Sequence, residues 1–101
     1  MAKTELTFTK EPGKGYVSEF VSHGGRMHIQ VAKNYAGDGV TYLDASTDGE
    51  TFAVIRQPMS GRDLLIPLEV PDGVIISVVS TDPVDYAAVI ADSEVQEPDN
   101  D

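Results

Sequence analysis

The sequence has no cysteine, no tryptophan and, beyond Arg62, no lysine or arginine. Without cysteine, disulfides and thiolate metal sites are excluded. No apolar run approaches the ~20 residues that a membrane-spanning helix needs, and MAKTELTFTK lacks the apolar region of a secretory signal. We therefore predict a chain that is made and folded in a cytoplasm and does not enter a membrane.

The acidic residues set the charge of the second part of the chain. The 101 residues include 7 Lys and Arg against 17 Asp and Glu, which gives a net charge of −10, and residues 63–101 carry all of it. Nucleic-acid affinity depends on Lys and Arg that neutralise phosphates, so direct DNA or RNA binding is not expected. The acidity indicates solubility, with a basic partner surface or mimicry of a nucleic acid as alternatives.

A hydrophobic period of two runs through most of the chain. The segment RMHIQVAK alternates apolar and polar residues, as a strand with one wet face does. VIISVVS is almost entirely apolar, which favours a central strand covered on both faces. Turn-forming residues recur at roughly 8–12-residue intervals, as in all-β proteins. About eight strands are predicted: ELTFTK, GYVSEFVS, RMHIQVAK, GVTYLDAS, TFAVIR, DLLIPLEV, VIISVVS and DYAAVIAD.

These strands predict an all-β fold, a single-domain antiparallel β-sandwich or small barrel of about seven to eight strands in residues 1–92. A helix is the alternative for VDYAAVIADSEV because alanine has high helix propensity, but the β-formers Val84, Tyr86 and Ile90 favour a strand. Residues 93–101, SEVQEPDND, form an acidic tail that we predict to be disordered.

Catalytic and metal-binding patterns are missing from the sequence. His28 falls on the polar side of its strand and His23 precedes two glycines, so neither has the setting of a triad base. The acidic segment DASTDGE does not fit an EF-hand, because Ile55 stands where the closing glutamate is required. GKG is not a phosphate-binding loop. We expect no enzyme activity, no metal and no cofactor.

The segment STDGETF lies between two apolar β segments. Asp48-Gly49 in this position predicts a two-residue hairpin of type I′, in which both residues have positive φ and Phe52 re-enters the core. A small carbohydrate-binding module is the alternative interpretation. Its ligand rim would consist of Tyr35, Asp38 and Asp48.

The segment DLLIPLEV contains Pro67, which cannot donate a hydrogen bond to a sheet and so belongs at an edge or a bulge. An open edge can take up another chain. We therefore predict a docking edge formed by Leu64, Ile66, Pro67 and Leu68.

The opening MAKTELTFTKEPGKGYVSEFVS, the alternating strands and VPDGVIISVVSTDPVDYAAVI together resemble small capsid-associated proteins of phages and prophages, of the decoration or head-fibre type. The resemblance is one of layout, and it points to no individual functional residue. It implies an all-β protein that lacks an active site and attaches to a capsid lattice, often as an oligomer. The expected function is a non-catalytic structural or interaction module that binds a protein partner or itself.

Overall fold

The structure, a computed structural model, describes residues 3–33 and 39–91. It is all-β, and these residues form one antiparallel sheet of seven strands with the order β1-β7-β3-β6-β4-β5 and β2 beside β3. This confirms the predicted fold class. The strands are β1 (Lys3–Glu5), β2 (Thr9–Glu11), β3 (Gly15–Lys33), β4 (Val40–Ser46), β5 (Ala53–Ser60), β6 (Asp63–Ser80) and β7 (Val84–Ala91). The predicted tail, residues 93–101, lies outside the described residues.

Two long strands, β3 and β6, run through the whole sheet and pair with each other from Tyr16↔Ser80 to Ala32↔Asp63. The sequence predicted four strands here, because Gly24-Gly25 and Pro71-Asp72-Gly73 looked like breaks. That prediction was wrong: the two irregular points lie side by side, with His23 opposite Asp72. Both strands therefore bend at the same place, beside a bulge between Val21 and His23, and the ladder continues across the bend.

The bend divides the sheet into two halves that share one core. In one half, β1 and β7 extend the sheet from the second part of β3; in the other half, β4 and β5 extend it from the second part of β6. The central cluster contains residues of both halves, which pack as in a small sandwich or barrel: Met27, Ile29, Val31, Leu43, Ile66, Leu68, Ile76, Val78 and Ala87.

The period of two correctly predicted which faces are buried. Along β3, Met27, Ile29 and Val31 are buried, whereas the residues between them are exposed or half-buried. Residues 76–80 of β6 are all buried, as predicted for a central strand. Residues 84–91 form a strand and not a helix.

The prediction of one continuous strand over ELTFTK was wrong, because the chain forms two short strands, β1 and β2, on either side of Leu6 and Phe8. The chain pairs with β7 through β1, where the N–H of Leu6 donates to the carbonyl of Ala87, and it pairs with β3 through β2. Between them, Leu6 and Phe8 pack against the core. The segment therefore crosses from one half of the sheet to the other, and its alternation reflects core contacts at a crossing.

Candidate interaction face

The strands β7, β3 and β6 have one side that faces the core and one side that faces away from it. The core-facing residues of these strands are Met27, Ile29, Val31, Ile66, Leu68 and Ala87. Because side chains alternate between the two faces of a strand, the residues between them point outward. We call these nine residues the outer face: Tyr86, Ala88 and Ile90 of β7, His28, Gln30 and Ala32 of β3, and Asp63, Leu65 and Pro67 of β6.

The strand register arranges the outer face in three rows. Gln30 pairs with Leu65 on one side and with Ala88 on the other. In the same way, His28 lies between Pro67 and Ile90, and Ala32 lies between Asp63 and Tyr86. In the first two rows, apolar side chains stand on both sides of the β3 residue. In the third row, the β3 residue itself, Ala32, is apolar.

Leu65 is the most exposed large apolar side chain among the described residues. It is 66% exposed, compared with 53% for Val21 and 51% for Val54, which lie on other strands. Pro67, beside it on the outer face, is exposed as well. At the β7 side, the ammonium of Lys3 lies 5.8 Å from the centre of the Tyr86 ring. Ala88, by contrast, is buried at 5% exposed, so the exposed apolar part of the outer face is Leu65 with Pro67. An exposed apolar patch with polar neighbours is a candidate interaction site.

A shallow depression of about 260 Å³ adjoins this face where β3, β5 and β6 meet. Its lining includes two arginines, Arg26 and Arg56, together with Glu69. The remaining lining residues are Met27, His28, Pro67 and Leu68.

Arg56 reaches from β5 to the open side of β6. Its Nη2 donates to the carbonyl of Pro67 at 2.6 Å, and its Nη1 lies 3.4 Å from the carbonyl of Ile55. The carbonyl of Pro67 therefore points away from β3. The N–H and C=O of one strand residue point to the same side of the strand, and this direction repeats at every second residue. The backbone groups of residues 65 and 69 therefore also point to the open side of β6.

The four residues of the predicted docking edge lie on this segment of β6. In the described part of the chain, residues 63–70 pair with β3 alone, so the segment has one open side. The side chains of Ile66 and Leu68 are buried in the core, Leu64 is half-buried, and Pro67 is exposed. Of these four side chains, only Pro67 and part of Leu64 are thus accessible, together with the backbone of the open side. Docking at this edge stays a prediction.

The open edges of the sheet are poorly suited to the addition of a strand. Pro67 has no N–H in the middle of the open segment of β6, and its carbonyl is engaged by Arg56. The edge strand β5 contains Pro58, and β1 and β2 have three residues each. Short edges and prolines are the means by which proteins avoid edge pairing. The addition of a strand along these edges is therefore disfavoured.

The Asp48 turn is a hairpin of a different type from the one predicted. Strands β4 and β5 pair as expected, and Gly49 has φ +83°, but no residue other than glycine has positive φ in the described part. Asp48 therefore cannot occupy a type I′ turn, and the connection is a wider loop over residues 47–52. Phe52 is half-buried and lies outside the central cluster, so its predicted place in the core was wrong.

The side chain of Asp48 holds this loop together. Its Oδ1 accepts hydrogen bonds from the N–H of Glu50 at 2.8 Å, the N–H of Thr51 at 2.9 Å and the hydroxyl of Ser46 at 2.8 Å. The N–H of Thr51, then that of Glu50, lowers the pKa of Asp48 from 3.8 to about 2, since these bonds favour the charged form. The carboxylate thus has a structural role within its own loop.

The other two members of the predicted ligand rim, Tyr35 and Asp38, lie outside the described residues. The structure therefore does not bring the three rim residues together, and the carbohydrate interpretation stays untested. Within residues 3–33 and 39–91, no group of three or more His, Asp or Glu side chains is arranged to hold a metal ion.

A buried ion pair lies at one end of the sheet, and the sequence analysis did not identify it. The ammonium of Lys33 lies 3.6 Å from Oδ2 of Asp82, with side chains that are 1% and 11% exposed. Gly39 packs directly against the Asp82 carboxylate, so a larger residue at position 39 would collide with it. The two charges are 49 positions apart and meet only through the pairing of β3 with β7, which no local pattern reveals.

A second cavity, of about 430 Å³, lies where β1 and β7 approach the bend of β3. Phe20, Met27 and Val89 are among its apolar lining residues, and Ser22 and His23 are among the polar ones. The hydroxyl of Ser22 already accepts a hydrogen bond from the N–H of Gly24 at 2.9 Å. Few polar groups of this cavity therefore remain to orient a ligand.

The comparisons with known proteins give no family for this chain. No family model, no curated protein and no solved structure matches it. Residues 3–33 and 39–91 contain no helix that is long and apolar enough to cross a membrane.

Proposed function

We propose that this chain is a non-catalytic structural or interaction module that attaches to a larger protein assembly through the outer face. One observation carries the proposal: Leu65, 66% exposed, and the exposed Pro67 lie two residues apart on β6, on the side of the sheet opposite the core. Burial of apolar surface is the main source of free energy in protein association.

The character of the sheet edges supports the use of a face. The edges are short or carry a proline, and the carbonyl of Pro67 is engaged by Arg56, so backbone pairing with another chain is disfavoured. The exposed side chains of Leu65 and Pro67 remain accessible on the outer face. The layout likeness to capsid decoration and head-fibre proteins makes a phage or prophage virion the assembly that we propose.

The experiment measures whether the chain travels with large particles. Virions or particles from the source are separated on a density gradient, and the chain is quantified in each fraction by targeted mass spectrometry. We expect the wild-type chain in the particle fractions and the Leu65→Glu variant in the light fractions, because a buried unpaired carboxylate opposes docking.

The matched control is Val54→Glu, since Val54 is 51% exposed but lies on β5, away from the outer face. This variant should stay with the particles. The proposal fails if the wild-type chain is found only in the light fractions, or if both variants are lost from the particles to the same extent.

A further inference from the structure

We infer that the depression between Arg26 and Arg56 is an anion site that takes a single carboxylate from an acidic segment of the partner. The site lies directly beside the outer face, because His28 and Pro67 belong to both. That the carboxylate comes from a partner protein rests on the proposed function. The binding of a carboxylate at this site does not depend on the proposed function, and it can be measured on the isolated chain.

The positive charge of this depression stands out in an acidic chain. The chain has 7 Lys and Arg in all, and two of them line one cavity of about 260 Å³. By contrast, Lys33 and Arg62 have acidic partners, Asp82 and Asp63. No ion pair joins Arg26 or Arg56 to a carboxylate of the described residues.

Arg56 is held in place and still has donors to offer. A guanidinium has five N–H groups. Its two hydrogen bonds go to the backbone carbonyls of Pro67 and Ile55, which leave at least three N–H groups for a ligand. These carbonyls fix the guanidinium without neutralising its charge, so less conformational entropy is lost when an anion binds.

Arg26 adds a second guanidinium from the neighbouring strand. It is exposed, and its register partner across the ladder to β6 is Glu69, which also lines the depression. No ion pair within 4.0 Å joins the two side chains, so the Arg26 guanidinium keeps its donors for a ligand. Together the two arginines provide the planar donor groups that bind a carboxylate with two parallel hydrogen bonds.

The charge around the site favours a carboxylate over a phosphate. Glu69 supplies one negative charge within the depression, and the chain as a whole carries −10. The two arginines and Glu69 leave one net positive charge in the depression, which one carboxylate neutralises, whereas a phosphate with nearly two negative charges leaves a net negative charge in a chain that is already acidic. The shallow, apolar neighbourhood of Pro67 also suits the aliphatic stem of an aspartate or glutamate.

The test follows binding by ¹H–¹⁵N NMR on the full chain, with the side-chain Nε–H signals of Arg26 and Arg56 as reporters. The probe is the blocked peptide acetyl-Gly-Glu-Gly-amide, which has one carboxylate, and sodium chloride at the same ionic strength is the baseline. We expect saturable shifts with half-saturation at roughly 1–10 mM, as for a small exposed charged site. Inorganic phosphate should bind more weakly.

Variants show whether the peptide binds at this site or is attracted by positive charge anywhere on the chain. Arg26→Gln should weaken binding at least five-fold, whereas Arg62→Gln, which removes the same charge beside Asp63, should leave it unchanged. Arg26→Lys should recover only part of the affinity, because an ammonium lacks the fork of donors.

Three results would overturn the inference: shifts that match the chloride baseline, equal weakening by Arg26→Gln and Arg62→Gln, or tighter binding of phosphate than of the peptide. Saturable peptide binding together with a chain that never travels with particles would leave the site intact and remove the proposed function. A chain that travels with particles but does not bind the peptide saturably would remove the site and leave the proposed function intact.

Discussion

The buried pair Lys33–Asp82 makes a quantitative prediction about stability. Replacement of Lys33 by methionine keeps most of the side-chain volume and removes the positive charge. Asp82, 11% exposed at its side chain, then keeps a buried charge whose Oδ2 has no hydrogen-bond partner. We expect Lys33→Met to lower the free energy of unfolding by about 3–5 kcal/mol, the cost typical of breaking a buried ion pair.

The geometry sets the scale of this effect. At the Nζ–Oδ2 separation of 3.6 Å and an effective dielectric constant of 20, the attraction is about 5 kcal/mol. The removal of both charges avoids the isolated carboxylate. The double variant Lys33→Met with Asp82→Asn should therefore regain at least half of the loss, because it is the unpaired charge that is costly.

Urea unfolding followed by far-UV circular dichroism measures these differences in a chain without tryptophan. With a slope of about 1.5 kcal/mol/M, Lys33→Met should lower the midpoint by about 2–3 M. The control is Arg62→Met. Arg62 lies closer to its partner Asp63, at 3.3 Å, but the two side chains are 55% and 61% exposed. Its loss should cost less than about 1 kcal/mol.

The reasoning about burial would be refuted by either of two results. One is a cost of Lys33→Met as small as that of Arg62→Met, which would mean that solvent screens the two pairs equally. The other is a double variant whose destabilisation equals the sum of the single losses, since independent sites add in this way and coupled sites do not.

Three further predictions concern the core and the Asp48 turn. Ile29→Ala should cost about 2–5 kcal/mol in urea unfolding because Ile29 is 0% exposed; Leu65→Ala, the exposed control, should cost less than about 0.5 kcal/mol, and equal costs would contradict the described core. Gly49→Val should cost more than about 1 kcal/mol in the same assay, since φ is +83° and the new Cβ would lie 3.3 Å from Cδ1 of Ile75; a neutral result would exclude this backbone conformation. The lowered pKa of Asp48, about 2 against 3.8, means that its charged form stabilises the fold above about pH 4 and that this contribution is lost as the pH falls toward 2. The stability advantage of wild type over Asp48→Asn in thermal unfolding should shrink across that range, and a constant difference would contradict the role given to the carboxylate.

The sequence predicted local features of the fold well because those features depend on local patterns. The alternation through Met27, Ile29 and Val31 identified the buried face, and Asp48-Gly49 identified the β4–β5 hairpin. The type of turn was missed because the side chain of Asp48 binds the N–H groups of Glu50 and Thr51, which gives the loop another stable conformation.

The long strands could not be predicted from local signals. Glycine and proline in an apolar segment mark either the end of a strand or a bulge within it, and the local sequence does not distinguish the two. Here Gly24 and Gly25 have φ +88° and +81°, and they lie beside the irregular point of β6 at Asp72 and Gly73. Two apparent breaks thus become one shared bend, which depends on pairing between distant segments.

The candidate site was predicted only in part. Pro67 drew attention to β6, but the outer face depends on the register of three strands, and DLLIPLEV has no alternation that singles out Leu65. The arrangement of Arg26 and Arg56 depends on the approach of β5 to the open side of β6. Neither juxtaposition leaves a signal in the neighbouring residues.

The shared strands β3 and β6 also determine how the molecule folds. Their ladder joins residues that are 31 to 64 positions apart, from Ala32↔Asp63 to Tyr16↔Ser80, so neither half of the sheet can form before most of the chain has come together. Such non-local pairing slows folding. Because β3 and β6 are part of both halves of the sheet, the two halves should unfold in a single cooperative step. The amides of Val17 and Ile29, on opposite sides of the bend, are then expected to exchange their hydrogens with the same free energy of opening.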